Sequence, residues 1–463
     1  MVDDEGVVAP TRSDPIARAL SQVIGGPVGR RALPHRWWTP VRILLAIATV
    51  TLALGMVQKA PCVRTQWGDS ELRYGAMCYS DIPYLYTGRG MAERVWPYSD
   101  TQGRYEVMEY PVGISYFAYA AAGLTSVVAV GPTQSEREHV PPDALWGMPG
   151  MTAEVNQYFV VNVILLAALG LLAAFFLAGA NPGRPFDAVW FVASPCLLVA
   201  AYINWDMLAV VCVAGALWAW ARGRSTLVGV FIGLGTAMKL YPVFLLGAVL
   251  VICVRNRRVR QFFEVTLAAL VSWVLLNIPA WLTGMEQWKV FWEFNSKRGP
   301  DLGSLWLMAS LLGHPASAEV VNKVSWVAFA LACVAVLVIG LRSPRRPRLA
   351  QLGFLIVASF LIINKVYSPQ YVLWLLPLAV LARPRWRDLI IWQCTEMVYF
   401  ASVWWYLGGF TASATSSAPD PAYLFAIGIR VVGEIYLMSM IVRDLYRGPN
   451  FERTSHGKLA LPM

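Results

Sequence analysis

The sequence predicts an all-α polytopic transmembrane bundle of about 11–13 hydrophobic segments, and three observations lead to it. Of the 463 residues, 57% are hydrophobic and only 14% are charged, at a mean hydropathy of +0.51. A soluble chain of this length would carry about a quarter charged residues to face water. The apolar residues also fall in blocks of roughly 16–24, long enough to cross a hydrocarbon core about 30 Å thick. Finally, positive charge is confined to short clusters between blocks: Arg222 and Arg224, Arg255 to Arg260, Arg342 to Arg348, Arg383 to Arg387, and Arg443 to Arg447. The positive-inside rule assigns such loops to the cytoplasm. The formal charge of +10 therefore reports orientation, and no nucleic-acid partner is expected.

Taken in order, residues 1–36 are polar, rich in Gly, Pro and Arg, and expected to form a mobile cytoplasmic tail without a cleavable signal. Residues 37–445 form the transmembrane domain, and 446–463 a second cytoplasmic tail. Trp37 and Trp38 suit an interface, and Arg42 marks the inner end of a first span over 41–58. A polar external loop covers 59–110. Further apolar blocks lie near 111–130, 157–180, 188–203, 207–221, 226–238, 242–254, 262–284, 318–341, 349–364, 370–382, 388–408 and 421–442.

Two blocks need comment. The stretch 131–156 is acidic and belongs outside, which conflicts with a full crossing by 111–130; a re-entrant or shallow packing of 111–130 resolves the conflict. The blocks 226–238 and 242–254 are short, and basic residues flank both outer ends, so an even number of crossings is required. A hairpin of two short helices turning at Tyr241-Pro242 satisfies both facts. Broken backbone at that depth is tolerated where it lines a cavity.

Five of the seven cysteines lie in apolar blocks and pack as small hydrophobes. Cys62 and Cys78 share the external loop, where a disulfide can persist. The four histidines have no metal-ligand spacing, and no metal site or cofactor is expected.

Ionisable residues near a membrane are costly and need a reason. Most of them here fall on the external side: Asp81 in Tyr79-Ser80-Asp81-Ile82-Pro83-Tyr84; Glu106, Glu109 and Tyr110; Asn204-Trp205-Asp206; Lys239 before Tyr241 and Pro242; Lys297, Arg298 and Asp301; and Asn364, Lys365, Tyr367, Ser368, Gln370 and Tyr371. Singly, each reads as an interfacial residue, because lysines snorkel and tyrosines belt the interface. Together, three lysine-containing sites beside carboxylates are fit to hold a phosphate at the lipid boundary while a carboxylate takes a proton. Glu396, Arg430 and Glu434 lie in late spans and read as a structural ion-pair network.

Met238-Lys239-Leu240-Tyr241-Pro242 resembles the K-[IL]-Y-P signature of polyprenyl-phosphate-sugar-dependent glycosyltransferases of the C-type fold. Asn364-Lys365-Val366-Tyr367-Ser368-Pro369-Gln370-Tyr371-Val372-Leu373-Trp374 is similar to their N-K-V-x-[ST]-x-Q-Y-x-x-W segment. Both patterns are shared with the catalytic subunit of the first mannosyltransferase of glycosylphosphatidylinositol synthesis and with actinobacterial membrane α-mannosyltransferases. The likeness covers roughly residues 75–385. Two departures stand out: the first loop has no Asp-x-Asp, so only Asp81 carries over, and the outer turn reads Asn-Trp-Asp without a preceding Arg-Gly.

The resemblance implies a plasma-membrane enzyme with its active site on the extracytoplasmic face. It would move a hexose, mannose first among them, from a polyprenyl-phosphate donor to a glycan or glycolipid acceptor, with inversion at the anomeric carbon and among membrane lipids. Asp81 would be the catalytic base. Lys239, Arg298 and Lys365 would bind the donor phosphate in place of a metal. Glu109, Tyr110, Asp206, Tyr241, Tyr367, Gln370 and Tyr371 would bind substrate. Arabinose remains an alternative sugar. A secondary transporter or lipid flippase, and a non-catalytic scaffold, remain alternative classes.

Overall fold

The computed structural model describes residues 8–10, 14–24, 37–411 and 420–447, and among these the chain is helical without a strand. Among the described residues, five helices are long and apolar enough to cross a membrane: Pro40–Arg64, Met151–Ala180, Val259–Thr283, Ala318–Arg342 and Pro421–Arg447. Only 17% to 44% of their most apolar windows is buried, so much of their apolar surface points outward, as contact with lipid requires.

Between them run shorter apolar helices joined by polar breaks. Pro195–Ala200 leads through residues 201–206 into Met207–Ala221. Ser225–Met238 leads through Lys239 and Leu240 into a 3-10 turn, Tyr241–Phe244, and then Leu245–Arg255. Leu349–Ile363 leads through residues 364–368 into Pro369–Tyr371 and Val372–Ala382. Proline opens each returning 3-10 turn at its first or second position, where its missing N–H leaves nothing unsatisfied. The expected turn at Tyr241-Pro242 is therefore present, and all three breaks emerge on one face of the bundle.

The arginine clusters collect on the opposite face. There Arg222 donates to Gly179 O (2.7 Å), Arg255 to Gly340 O (2.6 Å) and Arg348 to Ala382 O (2.7 Å), while Arg383 pairs with Asp388 and Asp444. Helix carbonyl ends meeting guanidinium groups satisfy both orphaned acceptors and the helix dipole. On this face too, Asp14 caps the Pro15–Ile24 helix and accepts from Phe186 N at 3.3 Å. That part of the expected mobile tail is docked; residues 1–7, 11–13, 25–36 and 448–463 of the two tails lie outside the described residues.

Close packing within the bundle depends on glycine where Ser225–Met238 runs against Val259–Thr283. A Cβ at Gly229 would stand 2.2 Å from Val265 O, and one at Gly233 2.2 Å from Ala269 O. Small residues four apart let two membrane helices approach backbone to backbone.

Both ends of the helix over Val112–Val128 lie on the site face of the bundle. Gly113 in its first turn lies against Met238, at the site-facing end of its helix, and Gly131 beyond its last turn lies against Glu154 in the first turn of Met151–Ala180. That turn is also on the site face, because Asn156 bonds both Trp67 and the Val63 carbonyl at the far end of the first span. Both ends therefore return to one side, as the re-entrant reading expects. The first span is longer than expected, reaching Arg64 rather than 58, so Cys62 sits in its last turns and is disulfide-bonded to Cys78 in the loop. Gln58 and Lys59 pin the same loop by donating to Met77 O (2.7 Å) and Tyr79 O (2.9 Å). The buried pair of Arg137 with Glu154 and the half-buried pair of Arg104 with Glu93 hold the remaining loop segments together.

Candidate active site

Where the three breaks meet the first loop, a cavity of about 730 Å³ opens. Asp81 stands at the start of the Ile82–Gly88 helix, its N–H bonded to Ile203 O at 2.8 Å. Asn204 donates to Asp81 Oδ2 (2.7 Å) and to the Tyr110 hydroxyl (2.8 Å), so one amide ties the base candidate to the end of the loop. Burial pushes the Asp81 carboxyl above the usual carboxylate range, and the nearby Asp206 charge adds to this. Hydrogen bonds from Tyr79 and Asn204 and the Lys239 charge pull against that rise without cancelling it. Burial and the Asp81 charge likewise raise the Tyr79 and Tyr110 hydroxyls, which therefore remain protonated donors.

Trp374 is the hub that joins the breaks. Its indole N–H donates to Asp206 Oδ1 at 2.7 Å, and its ring stacks between Tyr241 (4.5 Å) and Tyr371 (4.0 Å). Lys239 lies 3.7 Å from the same Asp206 oxygen and 4.9 Å from the Tyr110 ring. Asp206 is fully buried behind Lys239 and Trp374 and does not line the cavity, so its expected contact with substrate is replaced by a contact with the residues that do.

Three cations reach the cavity. Arg298 is paired with Asp301 (2.5 Å), and Lys365 Nζ is held by Asn295 O (2.5 Å) and Asn322 Oδ1 (2.6 Å). Burial, and then the neighbouring Arg298 charge, lower the Lys365 ammonium, so an anion between the two would relieve a repulsion already present. Asp301 N donates to Lys365 O at 2.8 Å, which locks the two cationic loops edge to edge. Of the residues expected to bind substrate, Glu109, Tyr110, Tyr241, Gln370 and Tyr371 line the cavity, although Glu109 is engaged by Arg89 (3.1 Å) and the Tyr241 hydroxyl is buried with no partner.

Tyr367 does not line the cavity. Its hydroxyl points back to Glu396 (2.8 Å), and the Arg430 guanidinium stands 3.7 Å over its ring. Arg430 pairs with Glu434 (2.9 Å) and donates to Gly303 O (3.0 Å). The expected structural network of Glu396, Arg430 and Glu434 is thus present, and it fixes both the Arg298–Gly303 loop and the Lys365 segment from behind. Tyr367 turns inward because Glu396 accepts its hydroxyl and the Arg430 guanidinium covers its ring on that side of the segment.

Two further residues at the site were not among the expected ones. Asn204 was visible only as a flank of Asp206. Lys59 is fully buried and coupled electrostatically to Asp81, yet in the sequence it reads as a lysine at the end of a span. Beyond the cations, the cavity wall is apolar and carries Phe291, Trp292, Trp326, Phe329 and Phe360, with Trp292 and Trp326 also 41% and 57% exposed on the outside of the bundle.

The cavity brings Asp81 together with Lys239, Arg298 and Lys365 beside an apolar wall. Residues 143–364 match the model of glycosyltransferase family 87. The family-87 match indicates a membrane glycosyltransferase, and it takes in Asn204, Asp206, Lys239, Arg298 and Asn364. Asp81 and residues 365–371 lie outside the matched region and join it through Asn204 and Trp374. No curated protein matches the chain.

Proposed function

We propose that this glycosyltransferase moves a hexose, mannose in the first instance, from a polyprenyl-phosphate donor to a hydroxyl of a cell-envelope glycan or lipid on the extracytoplasmic face of the plasma membrane. The observation that carries the reading is the single cavity in which Asp81 shares space with Lys239, Arg298 and Lys365. The acceptor hydroxyl loses its proton to Asp81 as its oxygen attacks the anomeric carbon. The bond to the donor phosphate breaks on the opposite side of that carbon, which inverts its configuration. The three cations take up the charge of the leaving phosphate, a task that preorganised groups outside bulk water perform well.

The apolar wall that reaches the outside between Trp292 and Trp326 suits the prenyl chain, which stays in the bilayer while its phosphate is gripped. Glu109, Gln370 and Tyr371 orient sugar and acceptor. Asp206, Tyr241 and Tyr367 act by holding other groups: Asp206 sets Lys239 and Trp374, Tyr241 stacks on Trp374, and Tyr367 bolts the Lys365 segment to the late spans. A disulfide between Cys62 and Cys78 is consistent with an oxidising compartment on this face. Polar groups gathered at one face of the bundle favour this reading over a secondary transporter, whose sites lie near the midplane.

Membranes carrying wild type or Asp81→Asn, supplied with labelled polyprenyl-phosphate mannose and native acceptor extract, test the reading. Wild type is expected to transfer label, and the variant to lose about 10²-fold or more at equal protein level. Undiminished transfer by the variant would remove Asp81 as base.

A further inference from the structure

The three cations of the cavity are held in two different ways. Lys239 faces the Asp206 carboxylate at 3.7 Å, and Arg298 faces that of Asp301 at 2.5 Å. Both charges are therefore partly neutralised by the protein itself. Lys365 has no carboxylate partner among the described residues. Its ammonium donates instead to two neutral acceptors, Asn295 O at 2.5 Å and Asn322 Oδ1 at 2.6 Å. An amide oxygen orients an ammonium without cancelling its charge.

Asn322 works as a bracket between helices. It stands near the start of Ala318–Arg342, and its amide nitrogen donates to Ser296 O at 2.7 Å, in the last turn of Met285–Lys297. With its oxygen on Lys365 and its nitrogen on Ser296, the amide cannot turn over without losing both bonds. The bracket also lies about one helical turn from each of the exposed tryptophans on the apolar wall. Trp292 precedes Asn295 by three residues on one helix, and Trp326 follows Asn322 by four on the other. Aspartate would fill the same space as asparagine, yet it would set a negative charge on Lys365 and against any anion brought there. The neutral side chain leaves this corner of the cavity with a cation that no carboxylate offsets.

We propose that Asn322 is a positioning residue that presents Lys365, with its charge intact, to the phosphate of the donor. The phosphate sits against Lys365 while the prenyl chain leaves between Trp292 and Trp326. Lys239 and Arg298 add to the field, but each already shares its charge with a carboxylate. This rests on the transferase reading and specifies which of the three cations contributes most to holding the donor.

Calorimetric titration of the purified protein with farnesyl phosphate and with farnesol needs no acceptor and no transfer step. Wild type is expected to bind the phosphate more tightly than the alcohol. Asn322→Asp is expected to weaken farnesyl phosphate binding about tenfold or more and to leave farnesol unchanged. Asn322→Ala, with Lys365 left on Asn295 O alone, is expected to lose about three- to fivefold on the phosphate, while Asn322→Gln keeps a neutral amide and most of the affinity. The comparison of Ala with Gln makes the test without an added charge, should the Asp variant fail to fold. A bracket that only ties the two helices would weaken both ligands alike, with Ala at least as severe as Asp. That result, or wild-type phosphate affinity in Asn322→Asp, would overturn the role of Asn322 and leave the donor reading standing. No preference of wild type for the phosphate over the alcohol would overturn the donor reading and the proposal with it.

Discussion

Removing the Asn204 amide would take from Asp81 one of the two side-chain hydrogen bonds that oppose the effect of burial. A base must be ionised to accept a proton, so activity falls as pH drops through its pKa. The Asp81 pKa is already raised, and loss of a bond to the charged form raises it further. In Asn204→Ala the acid limb of a kcat/KM profile is therefore expected to move to higher pH, with about a ten- to hundredfold loss below it and partial recovery on the alkaline side. A limb that stays put with a uniform loss would mean that Asn204 only shapes the turn. How much was legible differs between neighbouring residues for physical reasons. Asp81, Lys239 and Lys365 stood out in the sequence because charge beside apolar blocks is costly, and all three line the cavity. Lys59 did not, since a lysine one turn from a helix end looks the same whether it snorkels to water or is buried beside a carboxylate.

The three broken helices are where local sequence carried furthest. Lys239 to Pro242 and Asn364 to Trp374 each pair a polar run with a helix-opening proline, so the break, its depth and its flanks are written in adjacent residues. What adjacent residues do not contain is the partner across the bundle. Asp206 was expected to meet substrate and instead meets Trp374, which lies 168 residues away. Helix-to-helix approach has the same character: Gly229 and Gly233 are unremarked glycines until the backbone of Val259–Thr283 is found against them. Gly233→Leu would drive a side chain into Ala269 O and Ser272 Oγ, each 2.2 Å from a bare Cβ, and these are not flexible chain ends. Overpacking of this kind costs about 1–3 kcal/mol where neighbours can yield, and more where they are backbone. The expected result is a marked loss of folded protein in detergent, read by size-exclusion after mild heating. At Gly223, where a Cβ meets nothing, Gly223→Asn is expected to fold normally, since asparagine tolerates the positive φ of 67°. A Gly233→Leu variant as stable as wild type would show that the two helices are free to separate.

For the molecule as a whole, the charge pattern and the contacts make separate statements about sidedness, and they can be checked together. By the positive-inside rule, the arginine clusters at 222–224, 255–260, 342–348 and 383–387 are expected on the cytoplasmic side. Contacts independently gather those same loops on one face and the cavity on the other, with both ends of the Val112–Val128 helix on the cavity side. That helix ends in Val127 and Val128, 81% and 60% exposed, so it presents apolar surface to lipid without needing to reach the far leaflet. Single cysteines at three exposed positions separate the possibilities: Gln102→Cys in the first loop, Ser135→Cys beyond the re-entrant helix, and Asn256→Cys among the arginines. A membrane-impermeant maleimide added to intact cells is expected to label the first two above the wild-type background, and the third only after the membrane is opened. Labelling at 102 without labelling at 135 would mean that Val112–Val128 crosses after all. In that case every later span would invert, and position 256 would be labelled from outside. Protection at 135 and 256 together is incompatible with one helix order, so the pair of positions tests the topology as well as the single helix.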